Sequence, residues 1–253
     1  MIRVENIHKS FGDNHVLKGV DVTFSQGQTN LIIGKSGSGK TVFLKTMLGL
    51  FVPEQGNVFY GDECLAEMSK QRRTILRQET GMVFQGGALF DSMTVAENIR
   101  FPLDMFAPMT EKEKDERVKF CMSRVRLDDA GDKYPSEISG GMQKRVSIAR
   151  AISMNPKYLF CDEPNSGLDP ETAIVIDQLI QELTHEFGMT TIVNTHDMNS
   201  VLEIGDQVIL MKEGHKVWEG NNTQVLKSDN QDVVDYVFKS KLFKEMRKAL
   251  VGK

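Results

Sequence analysis

Cysteine is scarce in this sequence. Cys64, Cys121 and Cys161 are odd in number and far apart in a chain of 253 residues. That spacing excludes a paired disulfide framework and a zinc cluster, and it points to reduced thiols in a cytosolic protein. Long basic runs are missing as well. With 35 acidic against 31 basic residues the net charge is −4, and nucleic acid is not expected as a partner. No uninterrupted apolar stretch reaches the roughly 18 residues that a membrane span needs, and no signal-peptide pattern opens the sequence. If a membrane matters, a partner must provide it. Internal repeats and low-complexity segments are absent.

What is present is a globular composition, 40% apolar and 26% charged, sufficient for a sizeable core in one domain with lobes. Short β-like runs (IRVENIH, VDVTF, TNLII) come first, separated by turn chemistry at Phe11-Gly12-Asp13-Asn14 and Gln26-Gly27-Gln28. A helical period follows Gly39 through Thr41, Phe43, Leu44, Met47 and Leu48, until Gly49 and Pro53 stop it. TEKE at Thr110 is a capping box, followed by Val118, Cys121, Met122 and Val125 at helical spacing. Residues 142–153 are predicted as a helix burying Val146, Ala149 and Ile152, and KYLFCD as a buried parallel strand. Asp169-Pro170 opens a further helix that ends at Gly188, and MTTIVNT and QVILM are two more apolar strands. This alternation predicts an α/β sheet covered on both faces. From about Asn222, Val233, Val237, Phe243, Met246 and Leu250 imply one or two appended helices.

GKSGSGKT, residues 34–41, fits the phosphate-loop pattern and stands between a strand and a helix. Glycines let successive N–H groups face phosphate oxygens, and the helix N-terminus adds partial positive charge. Lys40 is then placed to reach the β and γ phosphates and Thr41 to ligate Mg²⁺. A loop that binds triphosphate needs an acid to cleave it, and LFCDE supplies two. Asp162 is the candidate metal holder and Glu163 the candidate general base. His196, at the end of an apolar strand that can lie beside LFCDE, is a candidate γ-phosphate sensor. EISGGMQKR places a hydroxyl and two glycines before a second helix start, which is a second anion cradle. One nucleotide does not need two cradles about a hundred residues apart, so Ser139, Gly140 and Gly141 are predicted to close on a nucleotide held by a second subunit.

Together, GKSGSGKT, Gln85, ISGGM, LFCDE, NSGLD and His196 resemble the ATP-binding cassette family over residues 1 to about 221. The resemblance implies an α/β P-loop NTPase fold of ABC type: a RecA-like core, an antiparallel β subdomain and a helical signature-motif subdomain at about 86–153. It implies ATP and Mg²⁺ as cofactors, ATP hydrolysis as activity and a head-to-tail homodimer. By the same resemblance Phe11 stacks on adenine with Val16 also at the nucleotide, and Gly34, Lys35, Ser36, Gly37, Ser38, Gly39, Lys40 and Thr41 hold phosphates. Thr41, Gln85 and Asp162 serve the metal, and Gln85 also reaches the attacking water. Glu163, His196 and Gln85 are the catalytic set. Ser139, Gly140 and Gly141 act in trans, and Asp169 communicates between sites. Phe11 departs from the usual Tyr, Met142 from the usual Gln, and Gly167 from the usual Ala.

The segment MVFQGGALFDSM sets an apolar run on glycine-hinged backbone, which is costly to leave in water. In ABC transporters the groove beside this Gln receives a coupling helix of an integral permease, so residues Gln85 to Met93 are the expected docking place. GGALFDSMTVAENIRFPL and ISGGM resemble Mla-type phospholipid transporters. That resemblance implies a peripheral subunit on the cytoplasmic face of the inner membrane, with lipid-binding MCE-type and small regulatory subunits as further partners. The C-terminal extension 222–253 is then compatible with packing on the partner ATPase subunit or on its own domain. A lipoprotein-release or amino-acid transporter ATPase, and a soluble non-transport ABC ATPase, are the alternatives.

Overall fold

The computed structural model describes residues 1–238 together with Phe243, Glu245 and Arg247. Two compact units make up the chain, Met1–Met68 with Ile192–Lys253 and Ser69–Thr191.

In the first unit, strands Ile2–Phe11, Asn14–Phe24, Gln55–Tyr60 and Glu63–Cys64 form an antiparallel sheet with Ile2–Phe11 between the second and third. Ile2 faces Phe24 on one side and Tyr60 on the other. Val20, Val22 and Phe24 are buried at the period of two that one covered face requires. Strand Thr29–Ile33 is buried at every residue and runs parallel to Gln207–Lys212, from Asn30 opposite Gln207 to Ile33 opposite Leu210. Strand His215–Gly220 adds antiparallel to Gln207–Lys212. Helix Lys40–Met47 buries Phe43, Leu44 and Met47, and the Phe43 ring lies 6.4 Å from that of Phe24. Asn221 and Asn230 cap the short helices Asn222–Lys227 and Gln231–Val237.

In the second unit, strand Thr80–Val83 pairs parallel with Tyr158–Asp162. Helices Lys70–Gln78, Val95–Phe106, Glu111–Arg124, Gly140–Ile152 and Pro170–Phe187 accompany them. The capping box at Thr110 and Glu113 forms as expected, with the Thr110 N–H donating to Glu113 Oε2 at 2.7 Å. The helix expected from residue 142 begins at Gly140, because Ser139 Oγ accepts from the Met142 N–H and moves the cap back. Helix Val95–Phe106 was not anticipated, its interior Pro102 and the preceding glycines having masked a Thr94/Glu97 capping box. Burial of Val95, Ile99 and Leu103 along one side carries it through the proline. Strand Thr190–Asn194, wholly buried, takes the chain back from the second unit to the first. Among the described residues no helix is long and apolar enough to cross a membrane.

Candidate active site

The first unit builds the phosphate loop. Strand Thr29–Ile33 delivers the chain to Gly34, and helix Lys40–Met47 starts six residues later with Gly39 as its cap at φ 102°. Gly34 is required sterically: a Cβ there would stand 2.3 Å from the Met211 carbonyl oxygen and 2.7 Å from Ser38 Oγ. At Gly39 a Cβ would meet Leu17 Cδ2 and the Val16 oxygen at 3.1 Å, which places Val16 against the helix start. Lys40 Nζ donates to the carbonyls of Gly34 at 2.8 Å and Lys35 at 3.2 Å, so the ammonium is held over the loop. Ser38 is only 5% exposed, and its hydroxyl has no hydrogen-bond partner among the described residues. A buried hydroxyl of this kind, beside a Gly34 that has no room for a Cβ, fits an oxygen-rich ligand.

Phe11 ends its strand at 45% exposure and stacks edge-on to Phe51 at 5.2 Å, with Lys9 Nζ 5.3 Å from its ring centroid. Nearly half of the residue thus stays open to solvent, where a planar ligand can reach it. His196 is exposed just beyond strand Thr190–Asn194. The preceding Thr195 N–H donates to the Ile32 carbonyl at 3.1 Å, which fixes this loop beside the end of strand Thr29–Ile33. The tail also reaches the phosphate loop. Tyr236 Oη donates to the Gly34 oxygen at 3.2 Å, and a cavity of about 190 Å³ lies between Lys35–Ser38 and Asp232, Asp235 and Tyr236. Through Val237 the appended segment thus folds back on its own unit. Of the expected apolar positions beyond it, Phe243 is described, and Met246 and Leu250 lie outside the described residues.

The second unit gathers the carboxylates and Gln85. Asp162 ends strand Tyr158–Asp162 half-buried, and Glu163 follows at φ 49°. A non-glycine residue in this left-handed region is held there by its surroundings and is a common mark of a working site. Gln85 Nε2 donates to Glu163 Oε2 at 3.1 Å and to Ser166 Oγ at 3.3 Å. The amide thus aims the carboxylate. Lys144 Nζ donates to the Gln85 carbonyl oxygen. Burial pulls the Lys144 pKa below its ordinary value, and the negative charge of Glu163 opposes that shift.

The signature segment shares this unit. Ser139, exposed, heads helix Gly140–Ile152, and a Cβ on Gly141 would stand 2.7 Å from Thr172 Cγ2. Thr172 in turn gives its N–H and hydroxyl to the Asp169 carboxylate at 3.0 and 2.7 Å. These bonds hold the Asp169 pKa below the usual carboxylate value. Asp169 is therefore the cap of helix Pro170–Phe187 and also a neighbour, through Thr172, of the signature glycines. Cys161 is fully buried, as expected of a small hydrophobe, and burial pushes its thiol pKa far up.

A family model described as ABC transporter matches residues 17–166. The chain belongs to the ABC transporter family. Its chemistry is ATP hydrolysis, as the cassette motifs imply. The chain is 37% identical to the L-cystine import ATP-binding protein TcyN of Bacillus subtilis (strain 168), over 92% of this chain and 90% of that protein. It is 35% identical to the probable ribonucleotide transport ATP-binding protein mkl of Mycobacterium tuberculosis (strain ATCC 25618 / H37Rv) over 93% of its own length, and it spans 66% of that longer protein. Two solved cassettes share the fold. A dimeric post-hydrolysis cassette, MJ0796, bound to ADP and Pi matches with a TM-score of 0.78 at 31% identity, covering 88% of this chain and 99% of that one. The cassette cbiO1 from Clostridium perfringens, part of the ABC transporter complex cbiONQ, matches at 0.84 and 30%, covering 97% and 98%.

In the apolar run MVFQGGALFDSM, Phe90 is 40% exposed and tilted on Phe101 at 4.7 Å, and Phe84, not singled out from the sequence, is 45% exposed. Sequence reasoning also missed Asn98, Lys144 and Arg150, which hold the backbone of this loop. A polar Asn in the apolar stretch TVAENI was the one available signal.

Proposed function

We propose that this chain is the ATPase subunit of a membrane ABC transporter. It works as a head-to-tail homodimer under an integral permease and drives phospholipid movement between membranes, as Mla-type systems do. The observation that carries this reading is Gln85. Its amide donates to Glu163, while Phe84 just before it and Phe90 in the loop after it are exposed, so one segment offers both a catalytic contact and a docking face.

Lys40 and the loop amides bind the β and γ phosphates, Phe11 and Val16 serve the base, and His196 contacts the γ phosphate in cis. Ser139, Gly140 and Gly141 close on the partner's nucleotide, and Asp169 links the two sites. Thr41, Gln85 and Asp162 serve Mg²⁺, a hard cation that takes oxygen donors such as this hydroxyl, amide and carboxylate and offsets phosphate charge. Glu163 takes a proton from water as the water oxygen bonds to the γ phosphorus and the bond to the bridging oxygen breaks, releasing ADP. The Gln85 amide keeps the Glu163 carboxylate aimed during that transfer.

The resemblance of GGALFDSMTVAENIRFPL and ISGGM to Mla-type proteins supports the lipid substrate. A second reading, an amino-acid transporter ATPase, is favoured by the 37% identity to the L-cystine import protein over 90% of its length. Purification of the chain with its membrane partners from detergent extract separates these readings. The first expects a permease with a lipid-binding MCE-type subunit at the cytoplasmic face of the inner membrane. A permease that pairs with a periplasmic amino-acid-binding protein overturns the lipid assignment, and a pulldown with no integral membrane protein overturns both in favour of a soluble ABC ATPase.

A further inference from the structure

The loop that follows Gln85 makes few bonds of its own. Within it, the Gly87 N–H donates to the Phe84 oxygen at 2.9 Å and the Met93 N–H to the Phe90 oxygen at 3.1 Å. The carbonyls of Gln85, Gly87, Ala88, Phe90 and Met93 accept from side chains. Arg150 gives Nη2 to the Gly87 oxygen at 2.9 Å and Nη1 to the Ala88 oxygen at 2.8 Å, spanning two successive peptide groups with one planar guanidinium. Lys144, buried at 7% exposure, gives Nζ to the Gln85 oxygen. Both belong to helix Gly140–Ile152, the helix headed by Ser139. Between the two Arg150 contacts the chain turns through Ala88 at φ 48°. An L residue keeps such a backbone only where neighbours enforce it. The Arg150 guanidinium also lies 5.8 Å from the Phe90 ring centroid, so one side chain meets Gly87, Ala88 and Phe90 of the loop.

We propose that Lys144 and Arg150 are positioning residues that hold the Gln85 amide on Glu163 and fasten the Gln85 loop to the signature helix, so that helix and loop move as one body. The proposal rests on the ATPase roles given above to Gln85 and Glu163. Its physical content is the route of coupling. A displacement of the helix reaches Gln85 through three charge-assisted hydrogen bonds to loop carbonyls, whereas the loop's own glycine-rich backbone is too compliant to carry it. Lys cannot replace Arg at position 150, because a single ammonium cannot bridge two carbonyls in the fixed geometry of the fork.

The test uses the full chain and reads ATP turnover, KM for ATP, thermal midpoint and amide exchange over residues 85–90. Arg150→Lys keeps the positive charge and removes the fork. The expected result is a fall in kcat of roughly ten-fold or more from a misplaced Gln85, with KM within about two-fold and the midpoint nearly unchanged, and with faster exchange at residues 85–90. Unchanged kcat overturns the proposal. So does a loss of turnover that tracks a rise in KM and a falling midpoint, which is general loosening. If Arg150→Lys does not fold, Lys144→Met decides by the same readouts. Glu163→Gln, measured alongside, separates the two levels: turnover surviving in that variant refutes the assigned base, whereas its loss together with a normal Arg150→Lys enzyme refutes the clamp alone.

Discussion

At the scale of the residue, the decisive group is Glu163, a carboxylate at φ 49° that accepts from the Gln85 amide at 3.1 Å. Replacing it by Gln keeps size and hydrogen bonding but removes the proposed base. Glu163→Gln is expected to reduce turnover by two orders of magnitude or more, since general base catalysis contributes roughly 10²–10⁴-fold. ATP binding should persist and leave an ATP-bound dimer detectable by sedimentation; rapid hydrolysis in this variant would falsify the assignment. Phe11 allows a milder test, because its ring is 45% exposed and buttressed by Phe51. Phe11→Ala should raise KM for ATP several-fold with little change in kcat, the signature of lost uniform binding. A kcat effect without a KM effect contradicts stacking on the base. Glu163 stood out in the sequence because LFCDE is contiguous, and Phe11 through the family resemblance, although their partners Gln85 and Phe51 are 78 and about 40 positions away. Lys144 and Arg150 did not, since the carbonyls they hold are 59, 62 and 63 positions away and a backbone carbonyl leaves no trace in residue type.

At the scale of the element, helix Val95–Phe106 is pinned to the Gln85 loop by one fully buried side chain. Asn98 accepts from the Phe90 N–H at 2.8 Å and donates to the carbonyls of Phe90, Met93 and Thr94 at 3.0–3.1 Å. Asn98→Ala strands these groups, and a loss of about 2–3 kcal/mol is expected from buried unsatisfied polar atoms. Denaturant midpoints check it, and a loss below about 0.5 kcal/mol would mean that water replaces the amide. A second joint lies at Glu79, the C-cap of helix Lys70–Gln78, bonded to Lys157 at 2.6 Å and Arg72 at 3.0 Å. Burial pushes the Glu79 pKa up, but the hydrogen bonds from Lys157 and Arg72 outweigh it and hold the carboxyl below its ordinary 4.5. A depressed carboxylate stabilises the fold above its unfolded pKa, and that contribution fades as pH falls through the lower folded value. Stability should therefore drop with pH below about 4.5 in part through Glu79, and Glu79→Gln should flatten that part of the acid limb. An identical acid limb in the variant assigns the drop to other carboxylates.

At the scale of the whole molecule, the two-cradle logic predicts sites shared between subunits, and mixing decides it. A Lys40→Ala chain and a Ser139→Arg chain should each be nearly inactive alone. In a head-to-tail dimer each mixed pair keeps one site whose phosphate loop and signature are both intact, so mixing should restore a substantial share of turnover. No recovery on mixing, with dimers formed, places both cradles on one nucleotide of one subunit. Met142, where the family resemblance leads one to expect Gln, would bear on the same proposed interface, and its N–H is already given to Ser139 Oγ at 3.3 Å.

Sequence alone determined the phosphate loop, the adjacency of Asp162 and Glu163 at a strand end and the α/β order, because each depends on contiguous residues whose chemistry dictates local backbone. Strand and helix periods, capping boxes and glycine spacing act over a few residues and survive any arrangement of the rest. The tertiary structure decided what local chemistry cannot. It folded the tail back so that Tyr236 meets Gly34, it kept a helix through Pro102 by burying Ile99 and Leu103, and it turned GGALF into a loop gripped by Asn98, Lys144 and Arg150. Those outcomes depend on burial and on hydrogen bonds to distant backbone, and only the folded chain brings such partners within reach.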